Sequence, residues 1–323
     1  MSKLIVGDVE TNSINGGPLA GFRNAIINGN FDHWQRGTSL AVNGYGADRW
    51  RNTNIGSSFT QSRQAFTMGQ TDVPNEPEYF SRTVVSSVSG AGNLANIGQY
   101  IEGVRTFAGQ TATLSFYAKA DAAKNIAVEF AQNFGTGGSP SAEVTGLGVT
   151  TCALTTAWQK FTVTVTLPSI SGKTLGTNDN DFLTTNLWFD AGSNFNARTN
   201  SLGHQSGTFD IAQVQLEAGS VATPFERRPV GTELALCQRY YEITGEAVFR
   251  PNGAGNFYTY PVPFVVQKRV PPTATWIVGI TNEATYSTSI VRNSLTSSSI
   301  NHTRTSGSGD SAISGFITAD SEL

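Results

Sequence analysis

The sequence predicts an all-β protein, a jelly-roll β-sandwich followed by a short helix and a small C-terminal β domain. Three observations predict it. Apolar and polar residues alternate with a period of two in several separate segments. The chain carries 34 Gly and 12 Pro, enough for many tight turns between short strands. Only one segment has the spacing of an amphipathic helix.

Residues 1–23 read as an N-terminal anchoring arm. A β-like patch from Leu4 to Val9 is followed by Asn12, Asn15, Gly16, Gly17 and Pro18, with too few apolar residues for a separate core. Residues 24–228 read as the sandwich. Leu114, Phe116 and Ala118 alternate with Ser115, Tyr117 and Lys119; Ile126, Val128 and Phe130 alternate with Ala127, Glu129 and Ala131. From Phe161 to Leu167 the odd positions are apolar and the even ones are threonine, the pattern of an antiparallel strand with one wet face. Further strands are expected over Tyr79–Val88, Ile97–Val104, Leu187–Asp190 and Phe209–Leu216, with Gly- and Asn-rich loops between. Residues 229–242 read as a helical connector. Thr232 is placed to cap it, Glu233 stands in its first turn, and Leu234, Cys237 and Tyr241 form one stripe. Residues 243–323 read as a small distal domain with strands over Phe257–Tyr260, Phe264–Lys268, Thr273–Ile280, Tyr286–Val291 and Ser314–Asp320. A domain of that size gains from oligomerisation.

Only 14% of residues are charged, against about 25% in an ordinary soluble domain. The surface is therefore built from neutral polar side chains. The 21 basic and 24 acidic residues are scattered, which argues against a groove that tracks nucleic-acid phosphates. No apolar run reaches the length of a membrane span or a signal peptide. Cys152 and Cys237 make neither a disulfide framework nor a metal spacing. The expectation is synthesis in a reducing cytoplasm, without membrane insertion.

Catalytic motifs occur only as fragments. Gly90-Ala91-Gly92-Asn93-Leu94-Ala95 has glycine spacing for a dinucleotide loop but no helix to follow it; Ser171-Gly172-Lys173-Thr174 lacks the first glycine of a phosphate loop, because Leu167 stands there. Gly309-Asp310-Ser311 echoes a nucleophile elbow, but Ile313 replaces its final glycine. His33, His204 and His302 are the only histidines, and none sits in a triad context. The sequence thus predicts no catalytic residues, no enzyme and no cofactor. Asn178-Asp179-Asn180-Asp181 reads as a solvated turn; the alternative is a calcium loop using Asp179 and Asp181. The candidate ligand-binding residues are the aromatics Tyr258, Tyr260, Trp276 and Tyr286, whose faces suit sugar C–H surfaces. The plainer reading is that they fill a small core.

Two stretches resemble a known family. The first is Ile27-Asn28-Gly29-Asn30-Phe31-Asp32-His33-Trp34-Gln35-Arg36-Gly37-Thr38 with Tyr45-Gly46-Ala47-Asp48-Arg49-Trp50. The second runs from Gln215-Leu216-Glu217-Ala218-Gly219 through Thr223-Pro224-Phe225-Glu226-Arg227-Arg228 to Glu233-Leu234-Ala235-Leu236-Cys237-Gln238-Arg239-Tyr240-Tyr241. Both look like bacteriophage tail-fibre and receptor-binding proteins with a carbohydrate-binding-module-like jelly roll. Arg269-Val270-Pro271-Pro272-Thr273 and the ending Phe316 to Leu323 are similar in style.

The resemblance implies a virion protein made in the host cytoplasm. It implies a homotrimer joined to a tail or baseplate protein by its N-terminal arm and meeting a host-surface glycan or protein with its distal domain. It implies structural roles for Trp34, Asp48, Arg49 and Trp50, with Trp34 and Trp50 as core anchors. The competing readings are a head-attached fibre or decoration protein with a purely structural role, and a carbohydrate-active hydrolase. A glycan-degrading spike calls for paired carboxylates and a repetitive β-helix, and no such repeat is present.

Overall fold

The computed structural model describes residues 21–41, 43–249, 257–281, 286–305 and 313–323. They divide into two compact units, one ending at Arg228 and one spanning Pro229–Glu322.

The first unit contains strands β1 (Ser39–Leu40), β2 (Gly44–Tyr45), β3 (Trp50–Ile55), β4 (Ser58–Ala65), β5 (Tyr79–Ser86) and β6 (Leu94–Glu102). They are followed by β7 (Thr111–Ala120), β8 (Lys124–Asn133), β9 (Val144–Leu154), β10 (Gln159–Thr166), β11 (Phe182–Ala191) and β12 (Gly207–Ala218). Two six-stranded sheets form, in the orders β1-β4-β5-β12-β7-β10 and β2-β3-β6-β11-β8-β9. Every pairing in them is antiparallel. The β7–β10 pair shows why the sequence folds so. Leu114, Phe116, Val163 and Val165 enter the core between the sheets. On the outer face Thr111 meets Thr166 at 3.2 Å and Thr113 meets Thr164 at 3.1 Å, the cross-strand hydroxyl pairs that an alternating Thr strand supplies.

The second unit opens with a helix over Val230–Gln238. It contains β13 (Tyr241–Ile243), β14 (Ala247–Phe249), β15 (Phe257–Pro263), β16 (Thr273–Thr281), β17 (Tyr286–Asn293), β18 (Ser297–Arg304) and β19 (Ile313–Asp320). Strand β19 pairs with β13, β14 and β16, and β18 lies between β15 and β17. Phe249, Val262, Phe264, Ile300, Ile313 and Ile317 form its core.

The all-β sandwich, the short helix and the small β domain expected from the sequence are all present. Some elements differ. The helix begins two residues before Thr232, with Pro229 at its cap position, so Thr232 sits inside the first turn. Phe264–Lys268 forms no strand; β15 ends at Pro263, and the segment turns so that Lys268 reaches Glu242 inside the unit. The outer face of β8 is covered rather than wet. A short helical stretch, Ser193–Phe195 and Asn196–Thr199, lies over it, and Glu129 is fully buried beneath. There Glu129 accepts from Trp188 Nε1 (3.0 Å), from Arg198 Nε (2.6 Å) and Nη2 (2.9 Å), and from Gly146 N (2.8 Å). The arm expected over residues 1–23 lies outside the described residues up to residue 20.

Candidate functional site

Residues 22–29 and 214–228, which take in parts of both stretches that carry the resemblance, form one structural seam within the first unit. Val214 N donates to Gly29 O (2.8 Å), Ala25 N to Leu216 O (2.8 Å) and Leu216 N to Asn24 Oδ1 (3.0 Å). Gly29 is required by the close approach, since a Cβ there would stand 2.1 Å from Val214 O. Glu226 takes the Phe22 and Asn24 amides, and Arg228 reaches back to the carbonyls of Asn24 and Ile26. Trp34 and Trp50 are buried, and each indole N–H is held by a main-chain carbonyl, Phe31 O at 2.7 Å and Asn28 O at 3.0 Å. Asp48 receives Gln35 through both its backbone N–H (2.9 Å) and its amide (2.8 Å), while Arg49 donates to Tyr100 O. Burial raises the Asp48 carboxyl above the usual carboxylate range, against the lowering effect of the Gln35 hydrogen bonds. Each of these four side chains is buried and hydrogen-bonded within the first unit.

Of the four candidate aromatics, two are brought together. The Tyr260 and Trp276 rings lie 4.5 Å and 5.7 Å from Phe249, and Trp276 also stands edge-on to His302 at 5.0 Å. Both rings therefore pack against the core of the second unit. Trp276 is only partly buried, however, and it borders an open groove of about 400 Å³ with Thr275, Thr288, Ser289 and Ile290. Gly315 makes room for the indole, because a Cβ there would come within 2.6 Å of Trp276 Cζ2. The Trp276 N–H is buried without a partner. Tyr258 and Tyr286 lie on β15 and β17, and their side chains fall outside the described residues. His302 is fully buried, its Nδ1 2.9 Å from Thr288 Oγ1 and its Nε2 unpartnered; burial pushes its pKa down to about 4.

The Asn178–Asp181 loop is tied to its neighbours by its own side chains. Asn178 donates to Thr136 Oγ1 (3.0 Å), Asn180 Oδ1 accepts from Thr136 N (2.8 Å), and Asp181 accepts from Val104 N (2.7 Å). Asp179 sits in the turn at φ 49°. Among the described residues no three His, Cys, Asp or Glu side chains converge as a metal site. No described helix is long and apolar enough to cross a membrane.

One convergence that the fold creates has no counterpart in any local sequence motif. Ser87 Oγ donates to Asp190 Oδ1 (2.8 Å), and His204 Nδ1 lies 3.0 Å from the same oxygen and 3.3 Å from Ser87 Oγ. A nucleophilic triad needs serine and carboxylate on opposite ring nitrogens. Here both meet Nδ1, and Nε2 faces Gly90 O at 3.1 Å. Asp190 also accepts from Ser57 Oγ (2.7 Å) and Gln205 N (2.9 Å), so the cluster ties loops to β11. Gly309, Asp310 and Ser311 lie outside the described residues.

No protein-family model matches this chain, and no curated protein sequence matches it. Solved structures resemble it weakly. A CBM4 structure shares 17% identity over 59% of this chain and 98% of that one, with a TM-score of 0.34. The enzymatically active domain of tailspike protein 4 from bacteriophage CBA120 shares 12% identity over 63% of this chain and 22% of that one, again at 0.34. A family 11 carbohydrate-binding module from Clostridium thermocellum, solved with a β-1,3-1,4-mixed-linked tetrasaccharide, shares 8% identity over 58% of this chain and 98% of that one, also at 0.34. Likeness at this level assigns neither an activity nor a ligand to the present chain.

Proposed function

We propose that this protein is a non-catalytic virion protein of a tailed bacteriophage, a tail fibre or tip that attaches the particle to host-surface glycans through its second unit. The observation that carries the reading is the Trp276 groove. An indole and three hydroxyl side chains, Thr275, Thr288 and Ser289, border one open depression. That pairing of an aromatic face with hydroxyl partners suits a sugar ring. The family resemblance supports the virion setting, with residues 1–23 as the arm toward a tail or baseplate protein and 243–323 as the tip. Homotrimerisation fits the exposed Val248, Ile277 and Val291 of the second unit, apolar side chains that a sister subunit would cover. Three copies would turn weak single-site contacts into firm attachment.

The test is binding of fluorescent full-length protein to candidate host cells, with light scattering to give the assembly state. Ser289→Trp fills the groove from an exposed position and leaves the core residues in place. Saturable binding by the parent that this variant loses is the expected result. Equal binding by both, or a folded oligomer that binds no candidate host, would refute attachment through this groove.

A further inference from the structure

On the outer face of the first sheet, five chain segments border a pocket of about 350 Å³. Ser115 and Tyr117 of β7 contribute to it, and Lys160 of β10 stands directly opposite Tyr117 in the strand register. The loop carrying Pro74 and Asn75 and the segment from Ala222 to Phe225 supply other walls. All of it lies within the first unit, apart from the Trp276 groove.

The pocket is built rather than incidental. Gln213, another wall residue, is 3% exposed and has φ 48° in a bulge between Ala212 and Gln215. A buried non-glycine residue in the left-handed region is a strained position that its surroundings must enforce. Its Nε2 donates to Pro74 O (2.7 Å), which fixes the amide in the wall, and its Oε1 has no partner. Phe225 is held from both sides. Thr223 Oγ1 donates to Glu217 (2.6 Å), and Glu226 N donates to Gln215 Oε1 (2.7 Å). A lip pinned in this way is preorganised, which lowers the ordering cost of binding.

The lining chemistry is selective. Tyr117 and Phe225 offer aromatic surface, and Ser115, Asn75 and Gln213 offer hydroxyl and amide groups. Among the described residues no acidic side chain lines the pocket, and Lys160 is the one charged group there. Among the described residues, none of the ion pairs involves Lys160. The volume lies near the lower end of ligand pockets, which run from about 300 to 1,000 Å³, so it suits about one sugar ring. We propose that this pocket binds a carboxylated hexose, a saccharide unit of the uronate class, with the ring against Tyr117 and Phe225 and the carboxylate on Lys160.

The test uses saturation-transfer NMR on the full-length protein with methyl glucuronide as the probe, beside methyl glucoside and acetate. Glucuronide should bind saturably and the glucoside at least about tenfold more weakly, the worth of one charge-assisted hydrogen bond. Acetate at equal concentration should not displace the glucuronide. Lys160→Gln, an exposed substitution, should weaken glucuronide about tenfold and leave the glucoside unchanged, while Ala222→Trp, which occupies the pocket, should abolish both. Three results overturn the proposal: no saturable glucuronide binding, unaltered affinity in Lys160→Gln with a normal melt, or displacement by acetate alone. Loss of cell attachment in Ser289→Trp with glucuronide binding intact separates this site from the groove.

Discussion

Lowering the pH should destabilise the second unit through one side chain. His302 is fully buried between Phe249 at 4.4 Å and Trp276 at 5.0 Å, and Thr288 Oγ1 reaches only one of its nitrogens. An imidazolium there would need solvation that the site does not give, so burial lowers the pKa from 6.5 to about 4. The unfolded chain takes up a proton as the pH falls through 6.5, while the folded unit stays neutral until about 4. Stability is therefore complete above pH 6.5, falls across that window, and loses no more below it. A shift of about two and a half pH units corresponds to about 3 kcal/mol. Trp276 is the one tryptophan beyond residue 228, so fluorotryptophan labelling with ¹⁹F NMR isolates this unit during urea unfolding. The Trp276 transition should move to lower urea between pH 7 and pH 4. His302→Gln, whose amide can still meet Thr288 and never charges, should flatten that dependence whatever its baseline stability. An identical pH profile in the parent and in His302→Gln would refute the assignment.

Gly29→Ala places a methyl 2.1 Å from Val214 O, and backbone faces backbone, so the first unit should lose at least about 3 kcal/mol by thermal melting. Gly203→Ala meets nothing within 4 Å, and its positive φ alone should cost about 1 kcal/mol. In the second unit, Lys268 and Glu242 are buried and paired at 2.5 Å. Desolvation lowers the lysine pKa, against the opposing pull of Glu242. Glu242→Gln strands the cation and should cost about 3–5 kcal/mol in chemical denaturation. The double change Glu242→Leu with Lys268→Met should recover most of that loss, and a double-mutant cycle reads the coupling directly.

The sequence legibly specified those strands whose two faces differ. Strands β7 and β10 alternate cleanly because Leu114, Phe116, Val163 and Val165 enter the core while Ser and Thr face out. Strand β9 is not legible because Gly146 and Gly148, at φ 70° and 59°, interrupt its apolar alternation. Strand β4 was hidden by its polarity: Phe59 is its one large apolar residue, and Gln61 is buried to donate to Ser81. Strand β18 looks like a Ser/Thr loop, yet it is the middle strand of its sheet with Ser298, Ile300 and His302 inward. Of the candidate aromatics, Trp276 reaches a groove while packing against the core, a dual placement that spacing alone does not encode. The Tyr117 pocket assembles five segments between residues 74 and 225, and no local pattern announces such a convergence.

The internal placement of charge bears on how such a protein meets a ligand. The chain is already poor in charge, yet Asp48, Arg49, Glu129, Asp190, Asp210, Glu217, Glu242 and Lys268 are buried. Many of these act as tethers. Asp210 holds Arg82 by two bonds of 2.8 Å, and Glu129 gathers Trp188 and Arg198. With only 14% of residues charged, long-range electrostatic steering is weak. Recognition at the proposed sites would then come from contact, with aromatic faces, hydroxyls and the Lys160 cation acting over a few ångströms. Contacts of that kind are individually modest. They become effective when several copies act together, and that need connects the two proposed sites with the oligomer proposed beside them.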